Sequence, residues 1–346
     1  MGKGQKQNSL DHTTSSAASE SNLKLHLPEN EIRAILNFFP RGVVAFDLET
    51  TGFSPMTDKI IEIGALKITA DGAISPWQSL VNPRVIIPNN TIDIHHITNE
   101  MVASSPTISE ILPAFIRFTG DLPIVAHNAK FDLGFILFSL RELDMNAPDC
   151  EIFDSCRLAR KAGLKSANNK LATLAEHFAI PLAQHHRAFY DAFVCMRVFA
   201  KCLDSMSNTT NFSTILDIAR IYRLSPRLID KINMDIPLGL RPLIPRLASQ
   251  ELVEIRYDGG SHKGNFRPIK PVALIPLPSG PVLYALCIHS LTNKSFALRK
   301  ILEVKLLSSE EIDKWQKYLE EKVQAQNQTN KSTTPLDKSD INLEEN

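Results

Sequence analysis

Cysteine is scarce in this 346-residue sequence: Cys150, Cys156, Cys195, Cys202 and Cys287 are scattered, and no two form a Cys-x-x-Cys pair. That excludes a disulfide framework and a zinc ribbon, and fits a reducing compartment. Long apolar runs are missing too. Nothing approaches the roughly 18 consecutive apolar residues of a membrane span, and the opening MGKGQKQNSLDHTTSSAASESN has no signal-peptide core. A soluble, cytoplasmic chain with no membrane partner is expected. Net charge is absent as well, 38 basic residues balancing 38 acidic ones, and no internal repeat is visible. What is present is a globular composition, 43% hydrophobic and 22% charged, which excludes a wholly disordered or collagen-like chain. The length suggests two domains.

The charge balance is uneven along the chain. Arg241 to Leu307 carries ten Lys/Arg against four acids, and Ser308 to Asn346 carries nine acids against five bases. A basic module followed by an acidic tail suits an anionic ligand, and equally a solvated charged surface.

Hydrophobic patterning divides the sequence further. Residues 1–37 read as a flexible N-terminal arm, its first 24 too polar to order themselves. Over 38–204, VVAFDL, IIEIGALKI and PWQSLVNP read as successive strands. SPTISEILPAFIRFTG reads as a helix, PIVAHN as a buried strand, and FDLGFILFSLREL, NKLATLAEHFAI and DAFVCMRVFAKCL as helices. The expected class is α/β with a mixed central sheet. Residues 205–240 read as a linker with short helices, 241–308 as a small β-rich module with Gly-Gly and Pro-Ser-Gly turns, and 309–346 as a charged helix and disordered tail.

Three segments carry chemistry. Asp47 and Glu49 stand two residues apart at the end of VVAF, so the strand period puts both carboxylates on one face. They repel each other unless cations sit between them; a solvent-facing strand end is the bland alternative. Asp132 opens a helix after the turn His127-Asn128, a place where an acid is also ordinary macrodipole stabilisation. In QHHRAFYDAF, Asp191 opens another helix and His186 stands five residues earlier on the loop. Four carboxylates from three segments plus one histidine suit two-metal phosphoryl hydrolysis. Two Mg²⁺ or Mn²⁺ ions ~3.5–4 Å apart need oxygen ligands, and the attacking water needs a base.

FDLETTG (46–52), AHNAKFD (126–132) and HRAFYDA (186–192) resemble the three exonuclease motifs of the DEDD superfamily, most closely the proofreading epsilon-subunit branch of DNA polymerase III. The resemblance covers about residues 40 to 203 and implies an RNase H-like exonuclease fold. His186 stands at the histidine-branch spacing, and Arg187 occupies the position of the other branch's tyrosine, so Tyr190 is not implicated. The resemblance implies that Asp47, Glu49, Asp132 and Asp191 ligate two divalent metal ions, Mg²⁺ or Mn²⁺, and that His186 is the general base. It also implies that Thr50, Thr51, Asn128 and His95 bind substrate. IDIHHITNEMV resembles the family's HGIT loop, with His96 where glycine is usual, which places a histidine where glycine's backbone freedom is expected. His185 reads as a bystander, Phe53 as a residue that can stack on bases, and Phe135 as core.

YDGGSHKGNFRPIKPVALI, VLYALCIHS and FALRKILEV resemble the WYL-type module of bacterial regulators, Leu283-Tyr284-Ala285 standing for the name-giving triplet and Lys300 for the late arginine. The basic surplus suggests nucleic-acid or ligand contacts at Arg267, Tyr284, Arg299 and Lys300, and equally suits a structural barrel with incidental charges. The activity implied is 3′→5′ exonucleolytic hydrolysis of DNA with a free 3′ end, in proofreading or repair. RNA trimming, or a regulatory nucleic-acid-binding protein with a vestigial nuclease, is the alternative. A DNA polymerase III alpha subunit is a partner the resemblance suggests, although no clamp-binding glutamine motif is evident.

Overall fold

The computed structural model describes residues 26–182, 186–207, 209–231 and 236–331. The three successive strands expected at the start form a meander. β1 (Gly42–Thr50), β2 (Ile60–Thr69) and β3 (Ile74–Leu80) pair antiparallel in sequence, preceded by α1 (Glu29–Phe38). Short helices α2 (Asn89–His95) and α3 (Asn99–Val102) then lead to α4 (Ile108–Thr119). A capping box opens α4, the Glu110 carboxylate accepting from the Thr107 backbone N–H. β4 (Ile124–Ala126) enters the sheet parallel to β1, and α5 (Lys130–Glu142) follows. β5 (Glu151–Asp154) lies parallel to β4, followed by α6 (Ser155–Lys161), α7 (Leu171–His177) and the 20-residue α8 (Ala188–Ser207).

Two calibrations of the expected boundaries emerge. The segment expected to be a linker supplies α9 (Phe212–Ala219) and β6 (Arg220–Arg223), and β6 pairs antiparallel with β5 as the edge strand. The sheet therefore has six strands in the order β3-β2-β1-β4-β5-β6. Likewise the expected arm ends earlier than residue 37. α1 buries Ala34 and Ile35, and its buried Glu31 accepts from Arg197 at 2.8 and 3.0 Å. An amphipathic helix of ten residues was hidden there because its apolar stripe is short and its charges are many. Residues 1–25 and 332–346, expected to be disordered, lie outside the described residues.

β1 explains how the sheet is covered. Val43 and Ala45 face a core shared with α1, α8 and α9, whereas Val44, Phe46 and Leu48 face a second core shared with α4 and α5. Asp47 and Glu49 continue the odd-numbered series, so they extend toward α8. The approach is close: a Cβ on Gly64 of β2 would lie 2.0 Å from the Phe189 backbone nitrogen, so only glycine admits the first turn of α8 onto the sheet.

Beyond α10 (Leu243–Ser249) lies a five-stranded antiparallel sheet, β7 (Val253–Tyr257), β8 (Phe266–Ile275), β9 (Val282–Cys287), β10 (Thr292–Ala297) and β11 (Ile301–Leu306), in the order β10-β9-β8-β7-β11. The chain then runs into α11 (Ser309–Lys331). This module does not stand apart from the first. Ala273, Ile275, Leu277, Val282 and Tyr284 belong to the same buried cluster as Phe46, Phe115 and Phe135, and a Cβ on Gly134 of α5 would meet Ile275 at 2.2 Å. No helix among the described residues is long and apolar enough to cross a membrane.

Candidate active site

The carboxyl end of β1 brings Asp47 and Glu49 to the first turns of two helices. Asp132 sits in the opening turn of α5 and Asp191 in that of α8, both buried. Ligand atoms of Glu49, His186 and Asp191 lie within 4.8 Å of one another, the geometry of a cation cage. His186 donates its backbone N–H to the Asp191 carboxylate at 3.2 Å, in a left-handed conformation (φ 65°). The loop is thus folded back so that histidine and aspartate face one site.

Electrostatics report the crowding. Burial, then the charges of Asp132, Asp191 and Glu49, push the Asp47 carboxyl well above its ordinary value, and burial with Asp191 and Glu62 does the same to Glu49. Burial pushes Asp132 up to about 8, against a hydrogen bond from the Leu48 backbone that favours its charged form. Carboxylates crowded together at such cost suit a site for divalent cations, whose charge relieves both desolvation and repulsion. Asp47, Glu49, Asp132 and Asp191 supply hard oxygen ligands of the kind Mg²⁺ and Mn²⁺ take.

The expected substrate contacts are placed less uniformly. The Thr50 hydroxyl donates to the Gly52 carbonyl, and the Thr51 hydroxyl accepts from the Lys59 backbone at 2.9 Å, so both hydroxyls hold the turn after β1. Phe53, at that turn, is 40% exposed and lies edge-on to Phe131, 6.2 Å between centroids; Phe135 is core. Asn128 has φ 61°, its backbone N–H bonded to Asp154 at 3.2 Å. His95 is buried at 2% exposure, with Nδ1 accepting from the Ile97 backbone at 3.0 Å. That bond puts the ring proton on Nε2, which finds no acceptor among the described residues. His96 answers the glycine question: it caps α2 in the left-handed conformation (φ 58°) that glycine would adopt without strain.

Several contributors escaped the sequence patterns. Glu62 on β2 stands directly across from Glu49 and is 2% exposed. Arg187 pairs with it, Nε at 3.2 and 3.1 Å from the two carboxylate oxygens and Nη2 at 2.7 Å. An acid inside the otherwise apolar IIEIGALKI was the available signal. His127 is another, bonded through Nδ1 to Ser155 at 2.8 Å and through Nε2 to the Asn169 carbonyl at 2.9 Å.

In the second module, Tyr284 reaches the first: Asn128 Nδ2 donates to its hydroxyl at 3.4 Å, and its ring lies 5.8 Å from Phe131. Arg267 instead lies buried over the Phe296 ring, 5.4 Å from its centroid. Arg299 and Lys300 are exposed, the former donating to the Ser279 carbonyl. His185 lies outside the described residues.

Comparison with known proteins adds similarities. Residues 44–199 match the model of the RNase_T family, described as Exonuclease. The DNA polymerase III PolC-type of Clostridium perfringens is 38% identical over 228 residues, covering 63% of this chain and 15% of that protein. That of Caldanaerobacter subterraneus is 38% identical over 163 residues, 47% and 12% respectively. The chain therefore spans a small fraction of these relatives' length. Among solved structures, exonuclease X in complex with 5′ overhanging duplex DNA is similar at 26% identity and TM-score 0.40, covering 51% of this chain and 98% of that one. Exonuclease I is similar at 12% identity and TM-score 0.44, covering 86% and 74%.

Proposed function

We propose, from the match of residues 44–199 to the exonuclease family model, that this chain is a metal-dependent 3′→5′ exonuclease acting on single-stranded or mismatched 3′ ends of DNA. It releases nucleoside 5′-monophosphates in proofreading or repair. The observation that carries the reading is the convergence of Asp47, Glu49, Asp132 and Asp191, from one strand and two helices, beside His186.

The roles follow from chemistry and position. Asp47, Glu49, Asp132 and Asp191 would hold two divalent cations, Mg²⁺ or Mn²⁺, which when bound polarise the scissile phosphate and stabilise the leaving 3′-oxygen. His186 takes the proton of the attacking water on a ring nitrogen, and its bond to Asp191 keeps its loop over the carboxylates. Thr50 and Thr51 shape the turn that receives the 3′-terminal nucleotide, and Phe53 offers an exposed ring for a base. His95, buried, serves the substrate through the loop it braces at Ile97. Asn128 contacts the strand with its side chain held from the second module by Tyr284.

The second module extends the nucleic-acid surface in this proposal, Arg299 and Lys300 offering exposed cations to the phosphate backbone. Association with a polymerase alpha subunit belongs to the same proposal. It is supported by the similarity to PolC-type polymerases, and co-purification tests it.

Matched 3′- and 5′-labelled single-stranded DNA, mismatched duplex and RNA, incubated with Mg²⁺ or Mn²⁺, test the activity. Metal-dependent shortening from the 3′ end of DNA, lost in Asp47→Ala, is expected. Wild-type activity in Asp47→Ala refutes the assignment, and faster attack on RNA reassigns the substrate.

A further inference from the structure

Glu62 is a buried carboxylate that the metal-binding set does not use. Burying a charge is costly unless it is paired and hydrogen-bonded. Here both oxygens are engaged: they receive three hydrogen bonds from Arg187, and one from the Ala188 backbone N–H at 3.0 Å. Arg187 and Ala188 directly follow His186, and the Arg187 carbonyl accepts the backbone N–H of Asp191 at 3.0 Å. One carboxylate on β2 therefore grips the two residues that join the histidine to α8.

The direction of the grip matters. Glu62 stands opposite Glu49 in the register of β1 and β2, so anchoring Arg187 there sets the loop against the strand that carries Glu49. His186 has to adopt φ 65°, a conformation that is strained for a non-glycine residue and persists only where its surroundings impose it. The bidentate guanidinium–carboxylate pair is a planar, directional constraint of the strength required.

We propose that Arg187, clamped on Glu62, is a positioning residue that holds His186 in its place over Glu49 and Asp191. This rests on the exonuclease reading for the role of His186, while the clamp itself is a statement about conformation.

Two measurements on the full chain test it. The first needs no turnover. In metal-free protein with ¹³C-labelled histidine, the His186 ring signal is assigned by its loss in His186→Ala. In Arg187→Gln it is expected to move toward the solvent-exposed position and to narrow as the loop gains motion. An unchanged signal in a folded Arg187→Gln protein overturns the proposal, and this arm holds even if the chain proves not to be a nuclease.

The second is a double-mutant cycle in kcat on a single-stranded oligonucleotide. Arg187→Gln is expected to lower kcat about 10- to 100-fold with KM within about twofold, and to cost nothing further in a His186→Ala background. An equal loss in both backgrounds, or no loss in either, overturns the proposal. Should Arg187→Gln unfold through the stranded Glu62 carboxylate, the pair Glu62→Gln/Arg187→Gln removes both charges and enters both measurements in its place, with the same outcomes deciding.

Discussion

Asp132 holds its proton to about pH 8 because burial disfavours the carboxylate, and this has a sign that stability measurements can read. An unfolded aspartate titrates near ~3.9, so between about pH 4 and pH 8 the folded chain binds the proton more tightly than the unfolded one. The folded state is favoured most below about pH 4 and loses that contribution as pH rises through about 8. Metal-free protein is therefore expected to melt a few degrees lower at pH 8.5 than at pH 6, and Mg²⁺ or Mn²⁺ to raise Tm more at the higher pH. Asp132→Asn should lessen the pH dependence, to which Asp47 and Glu49, raised in the same direction, also contribute, and abolish the metal-induced rise; an undiminished metal-induced rise contradicts this account. Glu31 is a contrasting case at the same scale. Its buried carboxylate, paired with Arg197 and Lys201, carries no role in the site. Glu31→Ala is expected to cost about 3 kcal/mol by leaving Arg197 unpaired, visible in urea unfolding with turnover intact.

At the scale of elements, the site depends on how close α8 comes to the sheet. Gly64→Ala places a methyl group where the Phe189 and Ala188 backbones already lie. The helix must shift, and with it Asp191 and the His186 loop. A loss of metal affinity of at least tenfold by calorimetric titration is expected, larger than the loss for Gly239→Ala, where a Cβ would meet nothing within 4 Å. Much of this scale was legible in advance. The helix at SPTISEILPAFIRFTG, the buried strand at PIVAHN and the helices at FDLGFILFSLREL and DAFVCMRVFAKCL follow from local periodicity, which short windows contain. β5, four residues long, and β6, after a helix, carry too few residues for a period to show. They exist as strands because β4 and then β5 offer edges to pair with.

On the scale of the whole molecule, the two sheets share a buried cluster across α5. Ile275→Ala in the second module should cost about 2–4 kcal/mol, and because Ile275 packs on Gly134 of α5, calorimetry should show one cooperative transition shifted as a unit. Two separated transitions, with only one shifted, would contradict a shared core. Tyr284→Phe removes the hydroxyl that Asn128 reaches; a rise in KM of about two- to fivefold, on the order of 0.5–1 kcal/mol for one hydrogen bond, is the expected result.

The amino-acid sequence alone determined the chemical identity of the site. Asp47 and Glu49 share a face because the strand period is two, and Asp132, His186 and Asp191 stand in segments whose local spacing marks them. The tertiary structure alone decided what holds those groups. Glu62 and Arg187 lie 125 positions apart and Asn128 and Tyr284 156 apart, and no local period links such pairs. Which of many buried acids, arginines and aromatics meet is set by strand register and by how closely helices pack, and those are properties of the folded chain as a whole.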